Sequence, residues 1–199
     1  MTDALLLIDI QNDFMPNGSL PVRRGDEVVP VANEYIRNFG NGLIIATQDW
    51  HPANHKSFAS NHPGKKLFET VDLNGLTQCL WTDHCVQNTP GAEFHPDLLP
   101  VPIVFCKGED PEVDSYSGFF DNGKRNKTQL DAFLKEHAVT NLTIMGLATD
   151  YCVKFTVLDA LALGYNVNVA GKGCRAVNLN LDDETAAFAA MQAAGAKVI

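Results

Sequence analysis

Short apolar runs alternate with segments of helical periodicity along the chain, and this alternation constrains the fold more than any other feature. The first run, over 4–8, contains no polar residue, which is typical of a strand covered on both faces of a parallel sheet. A segment over about 26–39 follows with apolar residues near helical spacing, and a Gly-Asn-Gly sequence ends it. Further strands are predicted over 43–47, 103–106, 142–145, 167–170 and 197–199, and further helices over about 128–136, 152–163 and 182–194.

This pattern predicts an α/β fold: a doubly wound, mostly parallel sheet of about six strands with helices on both faces. The length of 199 residues and the lack of a repeat or linker predict one domain over 1–199. The stretch over 49–102 has weak periodicity and holds six of the ten prolines. Because so long a loop in a compact domain is usually functional, we expect it to contribute a metal and substrate site.

The charge balance and the cysteine spacing exclude several classes of protein. The net charge of −9 argues against a nucleic-acid-binding surface, which is usually basic. No apolar stretch has the length of a membrane span, and the N-terminal apolar run lacks the features of a signal peptide, so a cytoplasmic location is expected. The five cysteines show no C-x-x-C spacing, so neither a zinc ribbon nor a thioredoxin motif is indicated.

Chemically active residues stand where four predicted strands end. Asp9 ends the first strand, Asp49 and Lys107 follow the second and third, and Cys152 comes after the fourth. Ligands of open parallel sheets bind at the carboxyl ends of the strands. Each residue alone has a plain structural explanation as a cap, a turn residue or a surface lysine. Their joint placement at one edge predicts an active site.

Cys152 is expected at or near a helix N-terminus, where the helix dipole and free backbone N–H groups favour a thiolate. The same N–H groups are suited to stabilising an oxyanion. Lys107 would stabilise the thiolate further, and Asp9 would carry the thiol proton to a leaving amine. The alternative is that Cys152 is only a small buried residue, as Cys79, Cys106 and Cys174 are expected to be.

A second group of residues has the chemistry of a metal site. Asp49 and His51 are two apart in an extended segment, so their side chains point the same way. A distant histidine would complete a site with open positions, and His84 is one candidate. Such a set suits zinc, iron, manganese or cobalt better than magnesium or calcium. Other histidines of the same region are equally available, and spacing alone does not rank them: His55, His62 and His95.

Four stretches of the sequence resemble the bacterial nicotinamidases, also called pyrazinamidases, of the isochorismatase-like cysteine hydrolases. They are L-I-D-I-Q-N-D-F over 7–14, T-Q-D-W-H-P over 47–52, W-T-D-H-C-V-Q over 81–87 and G-L-A-T-D-Y-C-V over 146–153. The resemblance covers essentially the whole chain, with the motifs in the family's order. It implies an isochorismatase-like, Rossmann-like domain.

The resemblance also assigns roles to individual residues. It implies a catalytic triad of Asp9, Lys107 and Cys152, and an oxyanion hole formed by Ala148 and Cys152 after a cis peptide between Leu147 and Ala148. It implies the metal ligands Asp49, His51 and His84, the last because it stands in W-x-D-H-C. It implies the substrate-binding residues Phe14, Trp81, Tyr116 and Tyr151.

The implied reaction is metal-assisted hydrolysis of nicotinamide, and also of pyrazinamide, through a Cys152 thioester, with a role in NAD salvage. The implied cofactor is one divalent transition metal, zinc first and iron or manganese as alternatives, with water ligands of which the pyridine nitrogen replaces one. The implied partner is the small-molecule substrate, without nucleic acid or membrane, and the sequence is compatible with a homo-oligomer.

Other functions remain as alternatives. Isochorismatases lack the cysteine nucleophile and this metal site, and carbamoyl-type amidases would keep Cys152 without needing His51 and His84. A nucleotide-binding module would carry a glycine-rich phosphate loop, and neither G-x-G-x-x-G after the first strand nor G-x-x-x-x-G-K-[ST] occurs. A redox sensor built on Cys152 would not require the metal ligands.

Overall fold

The computed structural model describes residues 2–199, and its central feature is a parallel sheet of six strands. The strands are β1 (Thr2–Ile8), β2 (Leu43–Asp49), β5 (Ile103–Lys107), β6 (Val139–Leu147), β7 (Asn166–Arg175) and β8 (Lys197–Val198), in the order β5-β2-β1-β6-β7-β8. Every neighbouring pair is parallel, so the predicted α/β fold is confirmed. The apolar run over 4–8 in β1 is completely buried, because neighbouring layers cover both faces of this central strand.

The order of the strands reverses at β1. From β1 the chain adds β2 and then β5 on one side, and it later adds β6, β7 and β8 on the other. The carboxyl ends of β2, β1 and β6 therefore open a crevice at the point where doubly wound sheets bind their ligands.

Four helices accompany the sheet: α1 (Val28–Asn38), α2 (Leu130–Glu136), α3 (Lys154–Ala162) and α4 (Asp183–Ala193). Their positions match the predicted helices, with one difference at the nucleophile. The chain first makes a wide π-type turn over Thr149–Val153, in which the Val153 N–H donates to the Ala148 carbonyl, before α3 begins. Cys152 therefore lies inside this turn, just ahead of the regular helix. Across 2–199, no helix is long and apolar enough to cross a membrane.

The weakly periodic region over 49–102 contains a hairpin that the apolar pattern did not predict. β3 (Thr70–Leu73) and β4 (Leu76–Cys79) pair in antiparallel register around a two-residue turn of Asn74 and Gly75. Both turn residues have positive φ, 54° and 84°, as in the turns that suit two-residue hairpins. The Asn-Gly dipeptide is a sequence signal for such a hairpin. Its strands are short and mostly partly exposed, so their hydrophobic pattern is weak.

Gly146 is required where β6 passes β1. Its φ is 132°, and an added Cβ would lie 2.1 Å from the carbonyl oxygen of Ile8. We expect Gly146→Ala to lower the free energy of unfolding by more than the roughly 1–3 kcal/mol typical of a strained backbone alone. Gly164→Ala is the matched control, because Gly164 has φ of 94° but no atom of residues 2–199 within 4 Å of its Cβ position. Urea denaturation measures both, and equal losses would contradict a steric role for Gly146.

Candidate active site

Three strand ends bring Asp9, Asp49 and Lys107 together beneath the crevice. Asp9 follows β1 directly with φ of 48°, while Asp49 and Lys107 are paired residues at the ends of β2 and β5. All three side chains are almost completely buried. The Thr47 hydroxyl donates to Asp9 Oδ1 at 2.6 Å and holds that carboxylate in place. The strand-end placement predicted from the sequence therefore corresponds to one compact group of charges.

Lys107 connects this group to the cysteine. Its Nζ donates to Asp49 Oδ1 at 2.9 Å, to the Ser115 carbonyl at 3.0 Å and to Cys152 Sγ at 3.4 Å. These three bonds use all three ammonium hydrogens. Nζ also forms an ion pair with Asp9 Oδ2 at 2.9 Å. The Asp9 carboxylate lies within hydrogen-bonding reach of the Cys152 thiol and keeps a further lone pair for its proton.

Burial determines the resting protonation of this group. It raises the pKa of Cys152 well above its ordinary value, and nearby Lys107 offsets only part of that effect. Burial also raises the pKa of Asp9, against the opposing influence of Lys107. Burial alone would lower the pKa of Lys107, but Asp49 and Asp9 raise it well above normal. The arrangement is a thiol beside a permanent cation and a carboxylate, which can produce a thiolate by short-range proton transfer.

The turn that carries Cys152 faces a pocket. The peptide between Leu147 and Ala148 is cis, as the resemblance implied. Ala148 and Cys152 line the pocket together with the four aromatic residues expected to bind substrate: Phe14, Trp81, Tyr116 and Tyr151. Asp49 and His84 form part of the same wall. The nucleophile candidate and two of the metal-ligand candidates therefore face one small space.

Hydrogen bonds and ring contacts fix the aromatic wall. Trp81 Nε1 and Gln78 Nε2 both donate to the Tyr116 hydroxyl, at 3.1 and 3.0 Å. The Tyr151 ring lies nearly perpendicular to Trp81 with centroids 4.8 Å apart, and it packs against Tyr116 at 5.3 Å. Gln78 belongs to β4, so the unpredicted hairpin supports the pocket. A wall of this kind suits a flat aromatic ligand.

The side chains of Asp49, His51 and His84 have the geometry of a metal site. Asp49 Oδ2 lies 3.2 Å from His51 Nε2 and 3.5 Å from His84 Nε2, and all three residues are buried. Among residues 2–199, His51 Nε2 finds no hydrogen-bond partner. A buried ring nitrogen without a partner, beside a carboxylate and a second imidazole, fits a transition metal.

A second group, formed by His51, His55 and Asp114, also has ligand atoms within 4.8 Å of one another. The histidines of the two groups differ in which ring nitrogen carries the hydrogen. His51 Nδ1 lies 2.9 Å from the Gly108 carbonyl and His84 Nδ1 lies 2.8 Å from the Thr82 carbonyl. A carbonyl only accepts, so both Nδ1 atoms carry hydrogen, and in the neutral rings both Nε2 atoms keep a lone pair for a metal.

His55 has the opposite tautomer. Its Nδ1 accepts the backbone N–H of Ser57 at 3.1 Å, and burial lowers its pKa to about 4, so the ring is neutral. Nδ1 also lies 2.7 Å from the Ser57 hydroxyl, and among residues 2–199 Nε2 of His55, like that of His51, has no hydrogen-bond partner. The Ser57 N–H favours the tautomer with hydrogen on Nε2, which distinguishes His55 from His51 and His84. The other two candidate histidines, His62 and His95, belong to neither group in the part of the chain that the structure describes.

Several site residues were not predicted from the sequence. Leu20, Asp114 and Val177 also line the pocket, and buried Gln11 holds the backbone of Asp49 through its side-chain amide. The sequence did offer an indication of Asp114. It stands two residues before Tyr116, and in an extended segment such residues point the same way. Leu20 and Val177 are ordinary aliphatic residues in loops, and nothing in their local sequence marks them.

Comparison with known proteins gives a consistent result. The sequence profile of the isochorismatase domain matches residues 3–199. The chain is similar to the nicotinamidase of Escherichia coli, with 57% identity over an alignment of 198 positions that covers 97% of this chain and 92% of that protein.

Among solved structures, it resembles a nicotinamidase/pyrazinamidase of Acinetobacter baumannii at 40% identity and a TM-score of 0.95, covering 100% of this chain and 95% of that one. It also resembles the pyrazinamidase of Pyrococcus horikoshii in complex with zinc, at 38% identity and a TM-score of 0.82, covering 100% and 99%.

Proposed function

We infer the function from one premise: this chain belongs to the isochorismatase family. Within the family it is an amidohydrolase that converts nicotinamide to nicotinate and ammonia, as its relatives named nicotinamidase indicate. Pyrazinamide is a second substrate, because a similar solved structure is named both nicotinamidase and pyrazinamidase. Nicotinate, the product from nicotinamide, fits a role in NAD salvage. The observation that carries the proposal is the Cys152 thiol, which lies between a buried Lys107–Asp9 pair and an aromatic pocket.

We propose that the reaction begins with proton transfer from Cys152 to Asp9. The Asp9 carboxylate, within hydrogen-bonding reach of the thiol, accepts its proton, and Lys107 at 3.4 Å stabilises the thiolate that forms. The aromatic wall holds the ring so that the carboxamide carbon lies near Sγ. The thiolate attacks this carbon, and the C=O electron pair moves to oxygen.

The tetrahedral oxyanion then collapses and releases ammonia. Backbone N–H groups of Ala148 and Cys152 donate to the oxyanion, and each such donor typically contributes roughly 2.7–4 kcal/mol to transition-state stabilisation. Asp9 returns its proton to the leaving nitrogen as the C–N bond breaks, which leaves a thioester on Cys152. Asp9 then takes a proton from water as the water oxygen attacks the thioester carbon. It returns that proton to the departing thiolate as the C–S bond breaks, which gives the free thiol and nicotinic acid, which ionises to nicotinate.

We further propose that Asp49, His51 and His84 hold one divalent metal ion, with zinc as the first candidate. The buried donor set supports this assignment, and a similar pyrazinamidase has been solved with zinc. When bound, the metal supplies a Lewis-acidic position for the ring nitrogen of the substrate. Asp49 also connects this site to the cysteine, because its Oδ1 accepts a hydrogen bond from Lys107.

The histidine tautomers give a test of the ligand set. We expect the His55→Leu protein to keep one metal ion per chain at saturating metal. Its metal affinity should fall by at most about 10–100-fold, as when residues that support metal ligands without binding the metal are replaced. His84→Leu removes a lone pair that points at the site and should lose the metal. Elemental analysis after gel filtration measures both, with circular dichroism as the check on folding. Equal loss of metal in a folded His55→Leu protein would make His55 a ligand.

Ammonia release tests the function itself. The purified chain, supplied in turn with zinc, iron and manganese, should release ammonia from nicotinamide and pyrazinamide. Benzamide is the matched control substrate, because it has the same shape but no ring nitrogen, and it should be hydrolysed far more slowly. Hydrolysis of benzamide at the same rate would contradict a role for the ring nitrogen. No ammonia from nicotinamide with any of these metals would overturn the proposed function.

A further inference from the structure

Asp150 is a buried carboxylate with no part in the chemistry described above. It lies in the same turn as Cys152, two residues before it, and is 3% exposed. Its Oδ1 accepts the backbone N–H of Val177 at 3.0 Å, and its Oδ2 accepts that of Asn178 at 2.8 Å. Both oxygens are therefore used to hold a segment distant in sequence.

That segment is the β7–α4 loop, residues 176–182, and it forms one side of the pocket. Val177 lines the pocket together with the aromatic residues, while Leu181, further along, is 97% exposed. Asn178 has φ of 53°, and its side-chain oxygen accepts the N–H of Glu184 at the start of α4. The inner end of the loop is thus held from two directions, by Asp150 and by α4.

We propose that Asp150 is a positioning residue that fixes the Val177 side of the pocket relative to Cys152 and so determines how tightly the substrate ring is held. Hydrogen bonds from two N–H groups to one carboxylate are charge-assisted and directional, so they tie the loop to the nucleophile turn as one unit. Without them, the aliphatic wall of Val177 would move independently of the cysteine. The proposal rests on the proposed function, because it concerns binding of that substrate.

Asp150→Asn is the informative substitution. It keeps the size of the side chain but turns an NH2 group toward one of the two N–H donors, so one bond is lost. Asp159→Asn is the matched control: Asp159 is also a buried carboxylate, lies in α3, and pairs with Lys124 at 2.7 Å instead of the loop. Val177→Ala removes the wall without touching the carboxylate.

Steady-state kinetics on nicotinamide separate positioning from a general structural role. We expect Asp150→Asn to raise KM roughly tenfold or more, as the loss of one charge-assisted bond would, with kcat changed by less than about threefold. The rate of Cys152 alkylation by iodoacetamide, measured without substrate, should stay unchanged. Val177→Ala should also raise KM, the double variant should raise it no further, and Asp159→Asn should leave it unchanged.

Other outcomes would overturn the proposal. A fall in kcat and in the alkylation rate at constant KM would mean that Asp150 supports the nucleophile turn, and unchanged kinetics would mean that the loop does not need it. Hydrogen exchange of the Val177 and Asn178 amides provides a measurement that does not require activity. It should become faster in Asp150→Asn but not in Asp159→Asn, and equal rates would contradict the proposal even if nicotinamide were not the substrate.

Discussion

Cys152→Ala should abolish ammonia release from nicotinamide while the protein still folds and binds the substrate. The thiol is the group that forms the bond to the carboxamide carbon, so its loss removes the covalent route, which for catalytic nucleophiles costs several orders of magnitude in kcat. The pocket itself should survive, because the aromatic wall is held by Gln78, Trp81 and Tyr116. Calorimetry with nicotinamide measures binding, and an ammonia assay measures turnover.

Cys174→Ala is the matched control for that experiment. Cys174 is also a buried free cysteine, and its Sγ donates to the carbonyl of Ala170, within its own strand β7. We expect Cys174→Ala to retain activity. Appreciable turnover by Cys152→Ala would contradict the nucleophile assignment, and equal losses in both variants would point to a folding effect.

Removal of the metal should have the second largest effect. We expect His51→Ala to lose bound metal and nearly all activity, because Nε2 of His51 is a buried lone pair that faces Asp49 Oδ2 at 3.2 Å. Chelation of the unaltered protein should have the same effect and should be reversed by adding zinc, iron or manganese. Elemental analysis gives the metal content and the ammonia assay gives the activity.

His62→Ala is the control for His51→Ala. The His62 side chain bonds to a backbone carbonyl at the surface, away from the candidate site, so metal content and activity should both be unchanged. If His51→Ala retained full metal and activity, the site would have to be placed elsewhere. If chelation removed the metal without affecting turnover, the metal would have no part in holding the ring.

Much of the fold follows from the sequence because the sheet is buried. The apolar run over 4–8 must be covered on both faces, so its boundaries and those of its neighbours are visible as hydrophobic patterns. Once the strand ends are known, Asp9, Asp49 and Lys107 must lie at one edge of a parallel sheet. The hairpin of β3 and β4 gave no such pattern, since only Leu73 and Gln78 of its eight strand residues are fully buried. Its Asn74-Gly75 turn was the one local signal.

The choice among histidines could not be made from spacing. His51, His55 and His84 all reach the same region, and the partners of their Nδ1 atoms distinguish His55 from the other two. Those partners are backbone groups whose positions depend on the folded loops. Val177 is a similar case, because it enters the pocket from a loop far along the chain and is held there by Asp150.

The central claim is that hydrolysis passes through an acyl group on Cys152, and one measurement tests it most directly. The metal-loaded protein is mixed with saturating nicotinamide, quenched in acid during turnover, digested and analysed by mass spectrometry. The account predicts a nicotinoyl thioester on the peptide that contains Cys152, which disappears when the substrate is exhausted. A nicotinoyl group on a different side chain, or none at any time while ammonia is still released, would contradict it.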